Sequence, residues 1–179
     1  LRARFPQAAS LLVVCGKGNN GGDGFVLARA AALDGWQVTV LLAEGEPKTP
    51  DAITNYARLA GLQIAVCRDA AVLEPQHFRV VADALLYGTG FHGSLRPAGR
   101  AACALIHCAQ AAGAFVLALD LPSGIATDTG EVAEGAVSAD LTVTFDSYKP
   151  LHAAKNSAVY CGEIVCADIG IRCLDDAGA

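Results

Sequence analysis

The sequence predicts an α/β fold in which a mostly parallel β-sheet lies between two layers of helices. Short apolar runs that are typical of buried strands alternate along the chain with helical segments. Strands joined by helices form right-handed βαβ units, whose strands run parallel in one sheet. Apolar residues make up 53% of the 179 residues and charged residues 17%, which gives such a sheet enough apolar surface to bury.

The predicted strands are short apolar runs rich in Val, Leu and Ile. They cover residues 11–15, 38–42, 64–66, 80–86, 115–119, 141–145 and 164–167. The first run, LLVVC, has no charged residue and is followed directly by glycine, a pattern typical of a fully buried strand. Little helix is expected between the last two strands.

Three helices are predicted from composition and from signals at their ends. Residues 25–33 follow a glycine-rich turn and end near Gly35. The second helix begins at the Thr-Pro-Asp sequence of residues 49–51, which combines a cap, a proline at the first helical position and an acid in the first turn. Gly61 ends that helix, and the Ala-rich residues 98–112 form the third.

A single domain is expected over residues 1–171, because the sequence shows neither an internal repeat nor a linker. Residues 172–179 are interpreted as a tail or as the start of a linker. The chain contains no Met and begins with Leu, so we expect it to be a piece of a longer protein.

Composition and charge argue against several classes of function. The net charge is −5 and Lys and Arg do not cluster, which argues against nucleic acid as a partner. No apolar run approaches the ~20 residues that a membrane-spanning helix requires, and the first residues lack the apolar segment of a signal peptide. The seven cysteines form no CxxC pair and are expected to be reduced, buried thiols rather than zinc ligands. We therefore expect a soluble cytoplasmic protein.

The first polar cluster is the glycine-rich turn after the first predicted strand, residues 16–24 (GKGNNGGDG). Glycine lets a backbone approach a ligand closely, and the helix that follows offers N–H groups to an anion. Gly16, Gly18 and Gly21 satisfy GxGxxG, and Glu44 follows the second strand, about where a ribose-binding acid is expected. A NAD-dependent oxidoreductase is therefore one interpretation.

The polar side chains of this turn indicate a different chemistry. Asn19, Asn20 and Asp23 stand where a plain pyrophosphate loop has small neutral residues. Because an acid repels phosphate, Asp23 is expected to face a hydroxyl, an amide or a cation. The structural alternative is a glycine turn in which Asp23 serves the helix dipole. We also expect Gly21→Val to abolish dinucleotide binding and to leave the fold largely intact.

Two further polar loops follow predicted strands. Asp83 lies within the run 80–86, where an unpaired carboxylate would be costly, so a cation or strong donors are expected near it; a turn or cap role is the alternative. Asp120 and Ser123 follow the run 115–119. Ligands of doubly wound folds bind beyond the carboxyl ends of the strands, so all three loops are expected to converge on one crevice.

Together these motifs resemble the NAD(P)H-hydrate epimerase family, also called the YjeF N-terminal domain. The matching stretches, in the family's order, are GKGNNGGDG (16–24), DALLYGTGFHG (83–93), ALDLPSGI (118–125), TFDSYKP (144–150) and DIGI (168–171). The resemblance implies a Rossmann-like three-layer αβα sandwich that forms a homodimer. It also implies interconversion of the R and S forms of hydrated NADH or NADPH, in nucleotide repair alongside a dehydratase.

The resemblance also implies roles for individual residues. Those expected to contact the hydrated dinucleotide are Asn19, Asn20, Gly21, Gly22, Asp23, Gly88, Thr89, Gly90, Phe91, His92, Gly93, Ser94 and Asp120. Asn20, Asp83 and Ser123 are expected to help bind a potassium ion. Epimerisation breaks and remakes a bond at the hydrated carbon, by loss and return of water or by ring opening, and Asp120 is the expected general acid–base. Lys149 is a second candidate for proton transfer.

Two other functions stay open at this point. A NAD-dependent oxidoreductase would need a separate substrate domain, for which 179 residues leave no room. The other is a catalytically silent binding module of the same fold, and the joint presence of Asn20, Asp23, Asp120 and Ser123 argues against it.

Overall fold

The computed structural model describes residues 1–84, 95–127, 129–156 and 158–170. Within these ranges the strands are β1 (Ser10–Cys15), β2 (Gln37–Leu42), β3 (Ile64–Cys67), β4 (Val80–Ala84), β5 (Phe115–Leu119), β6 (Leu141–Phe145) and β7 (Glu163–Ala167). The helices are α1 (Asn19–Leu33), α2 (Pro50–Ala57), α3 (Pro97–Ala111) and the single turn α4 (Pro150–Ala153).

The seven strands form one sheet in the order β3-β2-β1-β4-β5-β6-β7, and each neighbouring pair is parallel. The predicted α/β class is therefore confirmed. Strand order reverses between β1 and β4, because β2 and β3 lie on one side of β1 and the later strands on the other. A crevice at such a point, beyond the carboxyl ends of the strands, is where doubly wound folds bind ligands.

Alternate residues of the strands face two separate apolar layers, which gives the fold its three layers. On one face Val13 of β1 packs in a cluster with Phe25 of α1 and Ala52 of α2. On the other face Leu12 of β1 packs in a cluster with Ile106 of α3. Both faces of β1 are buried, as its uninterrupted apolar run predicts.

Helix α1 begins earlier than the sequence predicts, at Asn19 instead of residue 25. Glycine has a low helix propensity, so the run 21–24 reads as a turn in the sequence. In the structure these glycines are helical because they are packed closely against the sheet and α2. Helix α2 ends at Ala57, four residues before Gly61, and a turn covers the interval.

Among the helices in the described ranges, none is long and apolar enough to cross a membrane. The cysteines at positions 15, 67, 103, 108, 161 and 166 are free thiols, as predicted, but the prediction that they are buried is wrong for Cys108, which is exposed. Three of them, Cys15, Cys103 and Cys161, are buried.

Candidate active site

The glycine-rich turn places the N-terminus of α1 at the carboxyl edge of the sheet, next to the reversal of strand order. Gly18 is the N-cap of α1, and no side chain caps the helix there. A Cβ atom built on Gly18 would have no heavy atom of the described residues within 4 Å. A helix N-terminus that no side chain of the described residues caps suits an anionic ligand, because its first N–H groups have no partner within the helix.

Gly21 and Gly24 are required by the packing of α1 itself. A Cβ on Gly21 would lie 1.9 Å from the carbonyl oxygen of Gly16. A Cβ on Gly24 would lie 2.5 Å from the Cβ of Ala84 and 2.7 Å from the Sγ of Cys15. Only glycine lets the first turns of α1 lie this close to β1 and β4. The expectation that Gly21→Val leaves the fold intact is therefore wrong.

Asp83 is fully buried in β4 and forms hydrogen bonds with Ser123, which follows β5. Ser123 donates its backbone N–H to Oδ2 of Asp83 (2.7 Å) and its hydroxyl to Oδ1 (2.6 Å). Burial raises the pKa of Asp83 to about 6, against the lowering effect of these two hydrogen bonds. No basic side chain pairs with Asp83 in the part of the chain that the structure describes.

The surroundings of Asp83 are otherwise apolar. Burial, followed by the negative charge of Asp83, raises the pKa of both the Cys15 and the Cys103 thiols, so both are protonated at neutral pH. An ionised carboxylate in such a place is costly unless a cation or further donors join it. The structure thus brings two of the three predicted potassium ligands, Asp83 and Ser123, into direct contact, without a basic partner among the described residues. Asn20 lies in the first turn of α1.

Asp120 follows β5 directly and adopts a left-handed backbone conformation (φ +66°). Its carboxylate oxygen Oδ1 accepts hydrogen bonds from the Thr144 hydroxyl (2.9 Å), the Phe145 N–H (3.3 Å) and the Lys149 ammonium. Its backbone N–H donates to the carbonyl of Val143 (2.8 Å). A non-glycine residue at this φ costs of order 1–3 kcal/mol, a strain that proteins concentrate at functional sites.

The backbone of Asp120 is also held by His152 of α4, which is buried. The Lys149 N–H donates to Nδ1 of His152 (3.0 Å), so Nδ1 carries no proton. The proton is therefore on Nε2, which donates to the carbonyl oxygen of Asp120 (3.2 Å). Burial lowers the pKa of His152, which agrees with a neutral imidazole.

A pH dependence of stability follows from this histidine. Its pKa is lower in the folded than in the unfolded chain, so unfolded molecules bind the proton more readily as the pH falls through about 6.5. The contribution of His152 to the free energy of unfolding should therefore decrease over that window. The raised pKa of Asp83 acts in the opposite direction in every variant, so the test is a difference: in denaturant titrations His152→Gln should gain stability relative to the parent as the pH falls. His77→Gln serves as the control because His77 is exposed. If the free energy of unfolding depends on pH in the same way in the parent and in His152→Gln, the assignment of His152 as a buried, neutral imidazole is wrong.

Asp23 connects α1 with the Asp120 cluster. Burial and then the negative charge of Asp120 raise the pKa of Asp23, so the two carboxylates are near enough to interact electrostatically. Glu44, the acid that the oxidoreductase interpretation assigns to ribose, has a largely buried side chain after β2. It lies 3.9 Å from the ammonium of Lys17 and 3.8 Å from the guanidinium of Arg96.

The structure brings most of the sequence-predicted residues to one edge of the sheet. Asn19 to Asp23 lie in the first turns of α1, and Asp83, Asp120 and Ser123 lie at or just beyond the ends of β4 and β5. The predicted binding loop 88–94 lies outside the described residues. Sequence reasoning missed Thr144 and His152, although the TFDSYKP motif was a signal for the first of them.

The family described as YjeF-related protein N-terminus matches residues 1–151. The chain belongs to this family. The resemblance drawn from the glycine-rich turn and the DLPSG sequence is thereby confirmed.

Relatives of this YjeF-related domain include both long and short proteins. The bifunctional NAD(P)H-hydrate repair enzyme Nnr of Coxiella burnetii is 41% identical over 175 residues, which is 96% of this chain and 34% of that enzyme. The NAD(P)H-hydrate epimerase of Limosilactobacillus fermentum is 38% identical over 170 residues, which is 92% of this chain and 76% of that enzyme. The chain thus spans about a third of the length of the bifunctional relatives that it matches.

A solved structure confirms the fold of the YjeF-related domain. The crystal structure of the yeast protein YNL200c superposes with a TM-score of 0.74 at 21% sequence identity, covering 93% of this chain and 72% of the yeast chain.

Proposed function

We propose that this YjeF-related domain is an NAD(P)H-hydrate epimerase, which interconverts the R and S forms of hydrated NADH and NADPH. The observation that supports this proposal is that two features lie at one edge of the sheet. They are the N-terminus of α1, which no side chain of the described residues caps, and the carboxylate of Asp120, which is fixed by hydrogen bonds. The first suits the pyrophosphate of a dinucleotide, and the second suits proton transfer at the reacting ring. The epimerases named among its relatives support the same assignment.

The chemistry needs a group that takes up and returns a proton. If water is lost and regained, the carbon–oxygen bond breaks as its oxygen receives a proton, and it forms again on the opposite face as the incoming water gives one up. If the ring opens, the hydroxyl proton leaves while the carbon–nitrogen bond breaks, and it returns as that bond closes on the other face. In both routes we assign this proton exchange to Asp120, and the half-buried Asp23 is near enough to interact with it electrostatically.

A potassium ion fits the residues at Asp83. The buried carboxylate supplies negative charge without a basic partner among the described residues, and Ser123 adds a hydroxyl oxygen beside it. No cluster of three or more His, Cys, Asp or Glu side chains occurs in the described ranges. The carboxylate of Asp83 and the hydroxyl oxygen of Ser123, with the amide oxygen of Asn20 that the family resemblance adds, would form the donor set. Such a set suits a hard monovalent cation, which would supply fixed positive charge next to the binding crevice.

Potassium should therefore stabilise the protein through Asp83. At a concentration one hundred times its Kd, the ion should add about 2.7 kcal/mol to the free energy of unfolding. Asp83→Asn keeps the shape of the side chain and removes the charge, so it should fold without added ion and gain little from potassium. Thermal melts in potassium chloride and choline chloride at equal ionic strength measure the difference. Equal potassium stabilisation of the parent and Asp83→Asn would contradict this site.

The function is tested by supplying one configuration of hydrated NADH or NADPH and following the appearance of the other. Spontaneous interconversion sets the baseline, so the rate must rise in proportion to the concentration of the protein. A catalytically silent binding module would bind the hydrate in calorimetry and leave the rate at the baseline. That outcome would overturn the proposed activity.

Three further features are proposed on the family resemblance. The loop 88–94 contributes to substrate binding, the protein is a homodimer, and it acts alongside a dehydratase in the cytoplasm. The relatives named as bifunctional repair enzymes support the association with a second repair activity. Light scattering of the purified protein tests the dimer, since a monomeric mass would contradict it.

A further inference from the structure

The sequence assigned a role to only one residue of the motif TFDSYKP (144–150), Lys149 as a candidate for proton transfer, and the structure places the motif around Asp120. Three donors from this segment converge on one carboxylate oxygen, Oδ1. They are the hydroxyl of Thr144, the N–H of Phe145 and the ammonium of Lys149. The next turn, α4, adds His152, which holds the carbonyl of the same aspartate.

Lys149 uses all of its hydrogen-bonding capacity within this cluster. An ammonium group has three N–H donors and no acceptor. Besides Oδ1 of Asp120, Nζ of Lys149 donates to the hydroxyl oxygen of Thr144 (2.9 Å) and to the carbonyl oxygen of Phe145 (2.9 Å). No N–H of Lys149 is left for a substrate, so this geometry makes Lys149 a residue that acts through Asp120.

The two carboxylate oxygens of Asp120 therefore differ in the hydrogen bonds that they accept. Oδ1 accepts three hydrogen bonds, whereas Oδ2 accepts none from the residues that the structure describes. The side chain of Asp120 keeps 15% of its surface exposed, so part of the side chain is accessible to a ligand. Fixing one oxygen of a carboxylate orients the other, since the group is planar and rigid.

We propose that Lys149 is a positioning residue, which holds Oδ1 of Asp120 and so makes Oδ2 the atom that exchanges protons with the substrate. This inference rests on the proposed epimerase function. It replaces the sequence-based expectation that Lys149 transfers a proton itself. Thr144 shares the role, because its hydroxyl contacts both Oδ1 and the ammonium.

Lys149→Met tests the proposal, because Met has a similar length and lacks both the charge and the N–H donors. We expect kcat to fall about tenfold to a hundredfold, as misplacement of a reacting group by about 1 Å can cost, while KM stays within about twofold. Thr144→Val should also lower kcat without raising KM. The double variant should lose little more than Lys149→Met alone, because the two residues act on one oxygen.

Lys155→Met is the matched control, since Lys155 is an exposed lysine that follows α4, and its substitution should leave kcat unchanged. A Lys149→Met protein with the parent's kcat, or with a raised KM at unchanged kcat, would overturn the positioning role. If Lys149→Met does not fold, Thr144→Val tests the proposal by itself: a lower kcat without a raised KM supports the positioning role, and an unchanged kcat overturns it.

A crystal structure of Lys149→Met tests the positioning role independently of the proposed epimerase function. In Lys149→Met the contacts of Oδ1 with Thr144 and with the Phe145 N–H should lengthen or break, whatever the activity. If they persist unchanged, the positioning role is wrong even when the parent is a good epimerase. If the parent does not epimerise at all, the proposed function fails, and the geometry of Lys149→Met still shows whether Lys149 holds Asp120.

Discussion

Asp120→Asn should lower the rate of epimerisation by about 10²–10⁴ and leave the protein folded, with a modest loss of melting temperature because the ammonium of Lys149 loses its ion pair. Asparagine keeps the shape of the side chain and tolerates the left-handed backbone (φ +66°), so the substitution adds no strain. It removes the basic oxygen that takes up the proton. The measurement is the rate above spontaneous interconversion, with a melt of the same sample.

The protein contains a matched control for this substitution. Asp146 follows β6 as Asp120 follows β5, and it also has a left-handed backbone (φ +64°), but it is exposed. Asp146→Asn should therefore keep both the rate and the melting temperature. Asp120→Asn that melts normally and epimerises at the parent rate would remove Asp120 from the mechanism. Loss of stability with full activity in the remaining folded protein would assign it a structural role.

Gly21→Val should destabilise the protein by about 3 kcal/mol or more, at the upper end of the cost of overpacking. Its Cβ would lie 1.9 Å from the carbonyl oxygen of Gly16, so the start of α1 must move away from the end of β1. The contact is with backbone, which cannot rotate aside as a flexible side chain can. Denaturant unfolding measures the loss, and a variant as stable as the parent would contradict this packing.

Gly18→Val is the corresponding variant at a position where the described residues leave room for a side chain. Gly18 has an extended backbone (φ −95°, ψ −168°) that any residue adopts, and its Cβ would meet none of the described residues within 4 Å. The protein should unfold as the parent does, whereas a bulky group at the N-cap should weaken the binding of a hydrated dinucleotide measured by calorimetry. Unchanged affinity would contradict the placement of the ligand at the N-terminus of α1.

Much of the fold could be predicted from the sequence, because buried parallel strands are local apolar runs. The run 11–15 is recognisable by itself, and β1 covers Ser10–Cys15. The start of α1 could not be predicted in this way. Its glycines disfavour a helix locally, and only the closeness of Gly21 to Gly16 and of Gly24 to β1 and β4 shows why a helix containing them is stable.

The sequence by itself determined the α/β class, the family and the set of polar residues at the carboxyl ends of the strands, because each of these follows from short contiguous motifs. Only the tertiary structure decided how those residues are paired. The contact of Asp83 with Ser123 joins residues 40 positions apart, and that of Lys149 with Asp120 joins residues 29 positions apart. Neighbouring parallel strands end at the same edge of the sheet however far apart they lie in the sequence, so a spacing pattern does not show which oxygen of a carboxylate is held and which is free.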